Sequence, residues 1–246
     1  MNKLYKIMMP ILSLLIVIAY EGCSASSNGA IGRSAGGKVN SSYAPYFTQA
    51  TQSPKEVDVE GFLTRWLLLE PINKPIRSNT VFTDSYTRQA FNTEYFPNQF
   101  TVVPKNGDKV TVDGKELEWH ALDATGFNVN LFHFAFGLNK QKYGVLFWAV
   151  TVVNSPREMR NVRLSVGSNS ASMWWLNGKE AVMLSGDRRM VVDDCVSKRL
   201  TLNKGKNIIR GAVINGPGLS NFCVRFIDEN GEPITNLSIN LNKAEE

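Results

Sequence analysis

Residues 143–156 read YGVLFWAVTVVNSP, and this stretch decides the fold class. From Val145 to Val153 the side chains are β-branched, aromatic or otherwise apolar, with Thr151 the one hydroxyl among them. Such residues favour strands. A continuous apolar run is typical of a central strand that is covered on both faces. The stretch therefore predicts a buried strand in the middle of a sheet.

Regular β signals flank this run on both sides. KVTVDGKELEWHAL, residues 109–122, alternates around an Asp113-Gly114 pair, and ASMWWLNGKEAVML, residues 171–184, turns at Asn177-Gly178. Asp-Gly and Asn-Gly are the favoured residues of two-residue hairpin turns. Both segments are therefore predicted to be β-hairpins.

The other segments complete the prediction, although they differ in regularity. NVNLFHFAFG, residues 128–137, alternates and is predicted to be a strand; residues 198–216 and 221–234 predict three more. The proline-rich stretch 71–100 is irregular, with a short helix expected around Asp84–Phe91. Short strands at even spacing predict an all-β fold, an antiparallel β-sandwich or jelly roll.

The beginning of the chain resembles a bacterial lipoprotein signal. Two lysines precede an apolar run, residues 7–19, which is shorter than the roughly 20 residues that span a membrane and fits a signal-peptide core. The run ends in Gly22-Cys23, which resembles a lipobox, although Tyr20-Glu21 departs from its usual aliphatic and small residues. We expect residues 1–22 to be a signal peptide and Cys23 to carry the lipid; an incidental Cys23 in an ordinary secreted protein is the alternative.

The Ser- and Gly-rich segment after Cys23 cannot bury enough apolar surface to fold by itself. Residues 23–55 are therefore predicted to be a lipidated N-terminus and flexible tether, and residues 56–243 a single domain. Cys195 and Cys223 then remain, either as one disulfide of an exported protein or as small buried side chains. Two cysteines and two histidines without paired spacing predict no metal site.

The net charge of +5 is spread among acidic residues, so no nucleic-acid partner is expected. Residues 145–227 are similar to galactose-binding-like jelly-roll domains that accompany bacterial glycan esterases and glycosidases. The similarity rests on the order of VGSNSASMWWLNGKEAV, KRLTLNKGKNIIRGAVINGPG and NFCVRFI. Within that group, the non-catalytic β-domain of proteins labelled acetylxylan esterase is the nearest resemblance. Asn169 and Ser170 stand where the family often has acidic residues, which puts an ion-binding role there in doubt.

The residues of the domain favour binding over catalysis. Gly-x-Ser-x-Gly does not occur within residues 56–243, and each histidine, His120 and His133, stands in an aromatic, strand-like run. Trp174 and Trp175 are neighbours in a strand, so they point to opposite faces. One is expected in the core and the other exposed to stack on a sugar; packing of both is the alternative. Hydrogen bonds to the sugar are expected from nearby loop residues: Asp187, Arg188, Arg189 and Asn215.

Together these observations predict a non-catalytic carbohydrate-binding or accessory lipoprotein linked to xylan-type polysaccharide processing. Its expected partners are a glycan or a carbohydrate-active enzyme, and the membrane through the N-terminal lipid, with no cofactor. Because no acidic run follows Cys23, we expect an outer-membrane anchor that faces the periplasm. Two alternatives stay open: a stand-alone glycan acetylesterase, and an adaptor that docks another envelope protein.

Overall fold

The computed structural model describes residues 42–241, so the predicted signal peptide and Cys23 lie outside the described residues. The described residues belong to one compact unit. The all-β prediction is confirmed, because two antiparallel sheets and their loops make up nearly all of the described unit. The helices are α1 (Asp84–Asn92) and α2 (Leu131–Gly137), with a 3-10 turn at Asn79–Val81.

The strands of the described chain are β1 (Phe47–Gln49), β2 (Lys55–Glu56), β3 (Arg65–Leu69), β4 (Ile72–Asn73), β5 (Lys109–Val112), β6 (Lys115–Ala124), β7 (Val145–Ser155), β8 (Met159–Ser168), β9 (Ala171–Leu176), β10 (Lys179–Leu184), β11 (Cys195–Val196), β12 (Leu200–Leu202), β13 (Gly205–Asn215), β14 (Phe222–Ile227) and β15 (Ser238–Ile239). The larger sheet has its strands in the order β1-β6-β3-β7-β13-β9-β10; β4 and β15 also pair with β7, β2 pairs with β15, and β5 pairs with β6. The smaller sheet joins β11, β12 and β14 to β8.

Strand β7 is the predicted central strand, and it is buried on both faces. Phe147 and Val153 point into the core between the two sheets, whereas Trp148 and Val150 point into a second core on the outer face of the larger sheet. The irregular stretch 74–105, including α1, covers that outer face with aromatic side chains. Full burial of one large apolar side chain contributes about 1.5–3 kcal/mol, so two cores on one sheet strongly favour this arrangement.

Both predicted hairpins are confirmed. Asp113 and Gly114 join β5 to β6 with φ of 50° and 73°, and Asn177 and Gly178 join β9 to β10 with φ of 49° and 78°. Positive φ at both central residues defines the type I′ turn, which matches the twist of the two strands. The helix expected around residue 84 is also present, capped by Thr83, whose hydroxyl accepts from the Tyr86 N–H.

The strand predicted for residues 128–137 is wrong, because most of that segment is helix α2. Asn130 caps it by accepting a hydrogen bond from the His133 N–H at 3.0 Å. The buried residues are Leu131, Phe134 and Ala135, which follow the helical spacing of i, i+3 and i+4. An aromatic-rich run is compatible with both the two-residue period of a strand and the roughly 3.6-residue period of a helix. The Asn130 cap favours the helix.

The predicted tether extends too far toward the domain. Phe47 is buried in the core between the sheets, and β1 pairs with the edge of β6 from Phe47↔Ala124 to Gln49↔Leu122. The segment as a whole is rich in Ser and Gly, but residues 43–47 include aromatic side chains with enough apolar surface to pack against the domain. Ordered structure therefore begins well before residue 56.

Candidate functional site

The predicted loop residues lie near the end of β8, the start of β9 and the end of β13, and most of them are hydrogen-bonded to other groups of the protein. The Ser170 hydroxyl donates to Asn215 Oδ1 at 2.9 Å, and the Ser170 N–H donates to the Arg188 carbonyl at 3.1 Å. Asn215 is fully buried and donates to the Gly218 carbonyl at 3.0 Å. The Arg188 guanidinium is held by Asp194, with Nε to Oδ2 at 3.0 Å. These side chains therefore join loops to the sheet.

Asp187 has the same role from the other side of this edge. Its carboxylate accepts from Asn79 Nδ2 at 2.8 Å, and Asn79 in turn bridges to the Pro217 carbonyl and the Gly216 N–H, each at 3.1 Å. Arg189 is exposed and makes no hydrogen bond to any residue within 42–241. Of the four predicted loop residues, Arg189 alone keeps its side chain out of these hydrogen bonds in the described part of the chain.

The expectation that one tryptophan is exposed is wrong. Trp174 is 0 % exposed and packs between the sheets against Trp66 and Phe222, with ring centroids 5.9 and 4.9 Å away. Trp175 is 7 % exposed and stacks on Trp148 at 5.5 Å, on the outer face of the larger sheet. The alternation between faces was correct, but the stretch 74–105 turns the outer face into a second core.

Trp175 nevertheless lines a cavity on the outer face of the larger sheet. A cavity of about 210 Å³ is lined by Asn92, Phe100, Trp175, Gly178 and Arg210, and we call it the Trp175 pocket. Strand pairing places Arg210 opposite Trp175, and the end of α1 and the loop after it bring Asn92 and Phe100 over the sheet. The pocket therefore combines two aromatic rings with an amide and a guanidinium.

Arg210 has no charged partner among the described residues, although it is only 3 % exposed. Its Nη1 donates to the Val102 carbonyl, which is its single hydrogen bond within that part of the chain. Burial lowers the pKa of Arg210 to about 10, so the side chain stays charged near neutral pH. Sequence reasoning missed this residue; the signal was one arginine within an otherwise apolar strand, IIRGAVI.

Neither histidine belongs to a hydrolytic cluster within residues 42–241. His120 Nδ1 lies 3.0 Å from the Tyr43 hydroxyl, and its Nε2 lies 3.6 Å from Glu70 Oε1. His133 stacks on Tyr46 with ring centroids 3.7 Å apart, and no serine hydroxyl hydrogen-bonds to either histidine in the described chain. The sequence GRSAG, residues 32–36, has the Gly-x-Ser-x-Gly spacing, but it precedes the domain and lies outside the described residues.

Glu70 is the buried anion beside His120. Burial opposes its ionisation, but the neighbouring His120 and Lys140, whose Nζ lies 2.9 Å from Oε2, stabilise the carboxylate and lower the pKa of the carboxyl below its usual 4.5. The carboxylate also accepts the Glu118 N–H. With its pKa lowered, Glu70 is ionised near neutral pH and has no proton to donate there, so this cluster fits a structural ion pair better than an acid catalyst.

Cys195 and Cys223 are both free thiols, so the disulfide alternative is wrong and the buried-thiol alternative fits. Cys195 pairs with Val166 from one side of β8, and Cys223 pairs with Gly167 from the other side. Two strand spacings amount to roughly 10 Å, beyond the ~4.4–6.8 Å that a disulfide spans. Burial raises the pKa of Cys223 to about 11.

Residues 42–241 contain neither a metal-binding cluster nor a membrane-spanning helix. No group of three or more His, Cys, Asp or Glu side chains is close enough to hold a metal ion. No helix in this range has the length and apolarity to cross a membrane.

No protein-family model and no curated protein matches the sequence. Among solved structures, the chain is similar to the PA14 domain of the MpAFP antifreeze protein, with a TM-score of 0.43 and 10 % identity over 78 % of this chain and 94 % of that one. It is also similar to a PA14 sugar-binding domain from an RTX adhesin, with a TM-score of 0.36 and 10 % identity over 70 % and 94 % of the two chains. A β-glucosidase from Kluyveromyces marxianus matches half of this chain and 16 % of its own, with 18 % identity and a TM-score of 0.32. These likenesses are remote, and the galactose-binding-like and acetylxylan-esterase resemblance stays a prediction.

Proposed function

We propose that this protein is a non-catalytic carbohydrate-binding lipoprotein of the bacterial cell envelope. The Trp175 pocket is the observation that carries the proposal, because its wall places two aromatic rings beside a side-chain amide and a guanidinium. Aromatic rings provide apolar surface for the C–H groups of a sugar, and planar polar groups donate to its hydroxyls. Pockets with a mainly apolar wall and a few convergent polar groups are the usual form of a small-ligand site.

The size of the pocket favours a small ligand or the end of a longer one. About 210 Å³ is less than the roughly 300–1,000 Å³ of pockets for drug-sized molecules. One sugar unit, either terminal or a side branch of a polysaccharide, fits this scale. The link to xylan-type polysaccharides rests on the sequence resemblance and belongs to this proposal.

The envelope location rests on the sequence alone. We propose that Cys23 is lipidated after removal of residues 1–22 and that the anchor lies in the outer membrane, facing the periplasm. Metabolic labelling with a palmitate analogue tests the anchor: labelling should be lost in Cys23→Ser and retained in Cys195→Ser. Labelling that persists in Cys23→Ser would contradict it.

Gel electrophoresis through a panel of polysaccharides, with acetylated and deacetylated xylan among them, tests the binding function. The wild-type protein should be retarded by at least one glycan. Asn92→Ala removes an exposed pocket amide with little effect on folding, and it should weaken the retardation. Trp175→Phe should weaken it further, because the smaller ring leaves the pocket wall incomplete.

Asn236→Ala is the matched control, since Asn236 is an exposed asparagine that lines a different cavity. Its retardation should equal that of the wild type. Absence of retardation by every glycan, or equal loss in the two asparagine variants, would contradict binding at the Trp175 pocket.

An adaptor role is the second candidate, and an exposed aromatic surface beside α2 favours it. Phe136 is 60 % and Tyr143 49 % exposed, with Phe132 5.7 Å from the Tyr143 ring. Exposed aromatic groups of this kind are enriched at protein interfaces. A photo-crosslinker at position 136 should capture one defined envelope protein that a crosslinker at position 236 does not; equal products at the two positions would refute this role.

A further inference from the structure

We infer that the Trp175 pocket is an anion site and that the sugar it binds carries a carboxylate, as a uronic acid does. This inference rests on the proposed carbohydrate-binding function and names its ligand class. The observation behind it is a buried guanidinium that lines the pocket and has no carboxylate partner in the described chain.

A comparison with another buried arginine of the same sheet shows what is missing at Arg210. Arg65 is as deeply buried, and it donates from Nε and Nη2 to the two oxygens of Asp123 at 2.7 and 2.9 Å. Arg225, which is less buried, pairs with Asp193 in the same way. Arg65 and Arg225 thus each bind a carboxylate through two hydrogen bonds, as the planar fork of arginine favours.

The contacts of Arg210 do not offset the loss of its hydration. A single bond to the Val102 carbonyl satisfies one of five N–H donors. None of the described aromatic rings lies under this guanidinium at cation–π distance. An unpaired buried charge destabilises a fold, and an apolar residue of similar size would avoid that cost. Arg210 lines the Trp175 pocket, where an anion would complete the pair.

The other residues that line the Trp175 pocket indicate what kind of anion it would bind. Trp175 and Phe100 provide an apolar wall, which a bare inorganic ion would not use, and Asn92 provides an amide for a hydroxyl. A ring that carries both C–H faces and hydroxyls, with one carboxylate, uses all of these groups. A single uronic-acid unit has that chemistry.

Calorimetric titration of the wild-type protein tests the inference, with glucuronate and its neutral methyl ester as probes. Glucuronate should bind at least tenfold more tightly than the ester, which lacks the negative charge and carries one additional methyl group. Glucose, acetate and inorganic phosphate complete the set, and each should bind more weakly than glucuronate. Phosphate or acetate that binds as tightly would overturn the sugar assignment, because the site would then recognise the anion alone.

Arg210→Met is the matching variant, with apolar bulk in place of the charge. It should reduce the glucuronate affinity at least tenfold and the ester affinity by less, so that the preference for glucuronate over the ester is lost, and it should leave the melting temperature unchanged or raised. Equal binding of glucuronate and ester by the wild type would overturn the inference and leave the proposed function standing. Absence of binding by any sugar in the set or by any polysaccharide of the gel panel, acidic ones included, would contradict both.

Discussion

Gly211 is a position where a single methyl group should destabilise the fold, because Trp174 packs directly on its backbone. A Cβ at residue 211 would lie 2.2 Å from Trp174 Cζ3, 2.5 Å from Cε3 and 2.6 Å from Cη2. Carbon atoms in contact normally lie about 3.5–4.0 Å apart. The indole of Trp174 must therefore retreat by more than about 1 Å in Gly211→Ala.

The surroundings of Trp174 leave little room for that movement. Its ring is held between Trp66 and Phe222, and its Nε1 donates to the Ser172 hydroxyl at 3.0 Å. Overpacking of a close-packed core costs about 1–3 kcal/mol, and loss of the hydrogen bond adds about 1 kcal/mol. We therefore expect Gly211→Ala to destabilise the protein by about 2–4 kcal/mol, and to lower the melting temperature by about 5–15 °C for a domain of this size.

Urea unfolding followed by circular dichroism measures the effect. Gly126→Ala is the control, because its φ is not positive and a Cβ there meets no atom within 4 Å; it should stay within about 0.5 kcal/mol of the wild type. The pair Gly211→Ala and Trp174→Leu should be non-additive, since the smaller side chain removes the ring atoms that clash. A Gly211→Ala protein as stable as Gly126→Ala would refute the packing of Trp174 described above.

Three further predictions concern other parts of the domain. At pH 8, iodoacetamide should label Cys223 slowly in the folded protein, because burial raises the pKa of this thiol. Dithiothreitol should not shift the unfolding midpoint, because both cysteines are free; a shift would reveal a disulfide between Cys223 and Cys195. Glu70→Gln should destabilise the protein at pH 7, because the lowered pKa of Glu70 stabilises the fold where the carboxyl is ionised. The difference in unfolding free energy between variant and wild type should shrink as pH falls below about 4, where this carboxyl becomes protonated. A difference that does not change with pH would count against the ion pair. Asn130→Ala should lower the unfolding free energy by about 1 kcal/mol through loss of the α2 cap, and an unchanged thermal midpoint would contradict the capping role.

Local signals predicted most of the strands and both hairpins. The run from Val145 to Val153 requires cover on both faces, and Asn177-Gly178 requires a tight turn, whatever the rest of the chain does. The helix over Leu131–Gly137 was missed because alternating aromatics fit both periods when read without the cap. The depth of the aromatic cover on the outer face depends on how stretch 74–105 folds back, which periodicity alone does not reveal.

The candidate site was predicted only in part, for a related reason. Trp175 was singled out from its position in a strand, but its burial depends on Phe100, which is distant in sequence. Arg210 looked like an ordinary strand residue, because its contact with Val102 joins positions 108 residues apart. Asp187 was expected to bind a ligand, whereas its contact with another loop occupies it. Long-range contacts therefore decide which polar groups stay available, and they are the part that local sequence patterns do not encode.

The most direct test of carbohydrate binding at the Trp175 pocket is a titration followed through the indole N–H signals in ¹H–¹⁵N spectra. Trp175→Phe identifies the Trp175 signal by its loss. Titration with a retarding glycan or with glucuronate should shift the Trp175 signal progressively, while the signals of Trp66 and Trp174, which lie in the other core, stay in place. Saturable binding that leaves the Trp175 signal unmoved would place the ligand elsewhere and contradict the central claim.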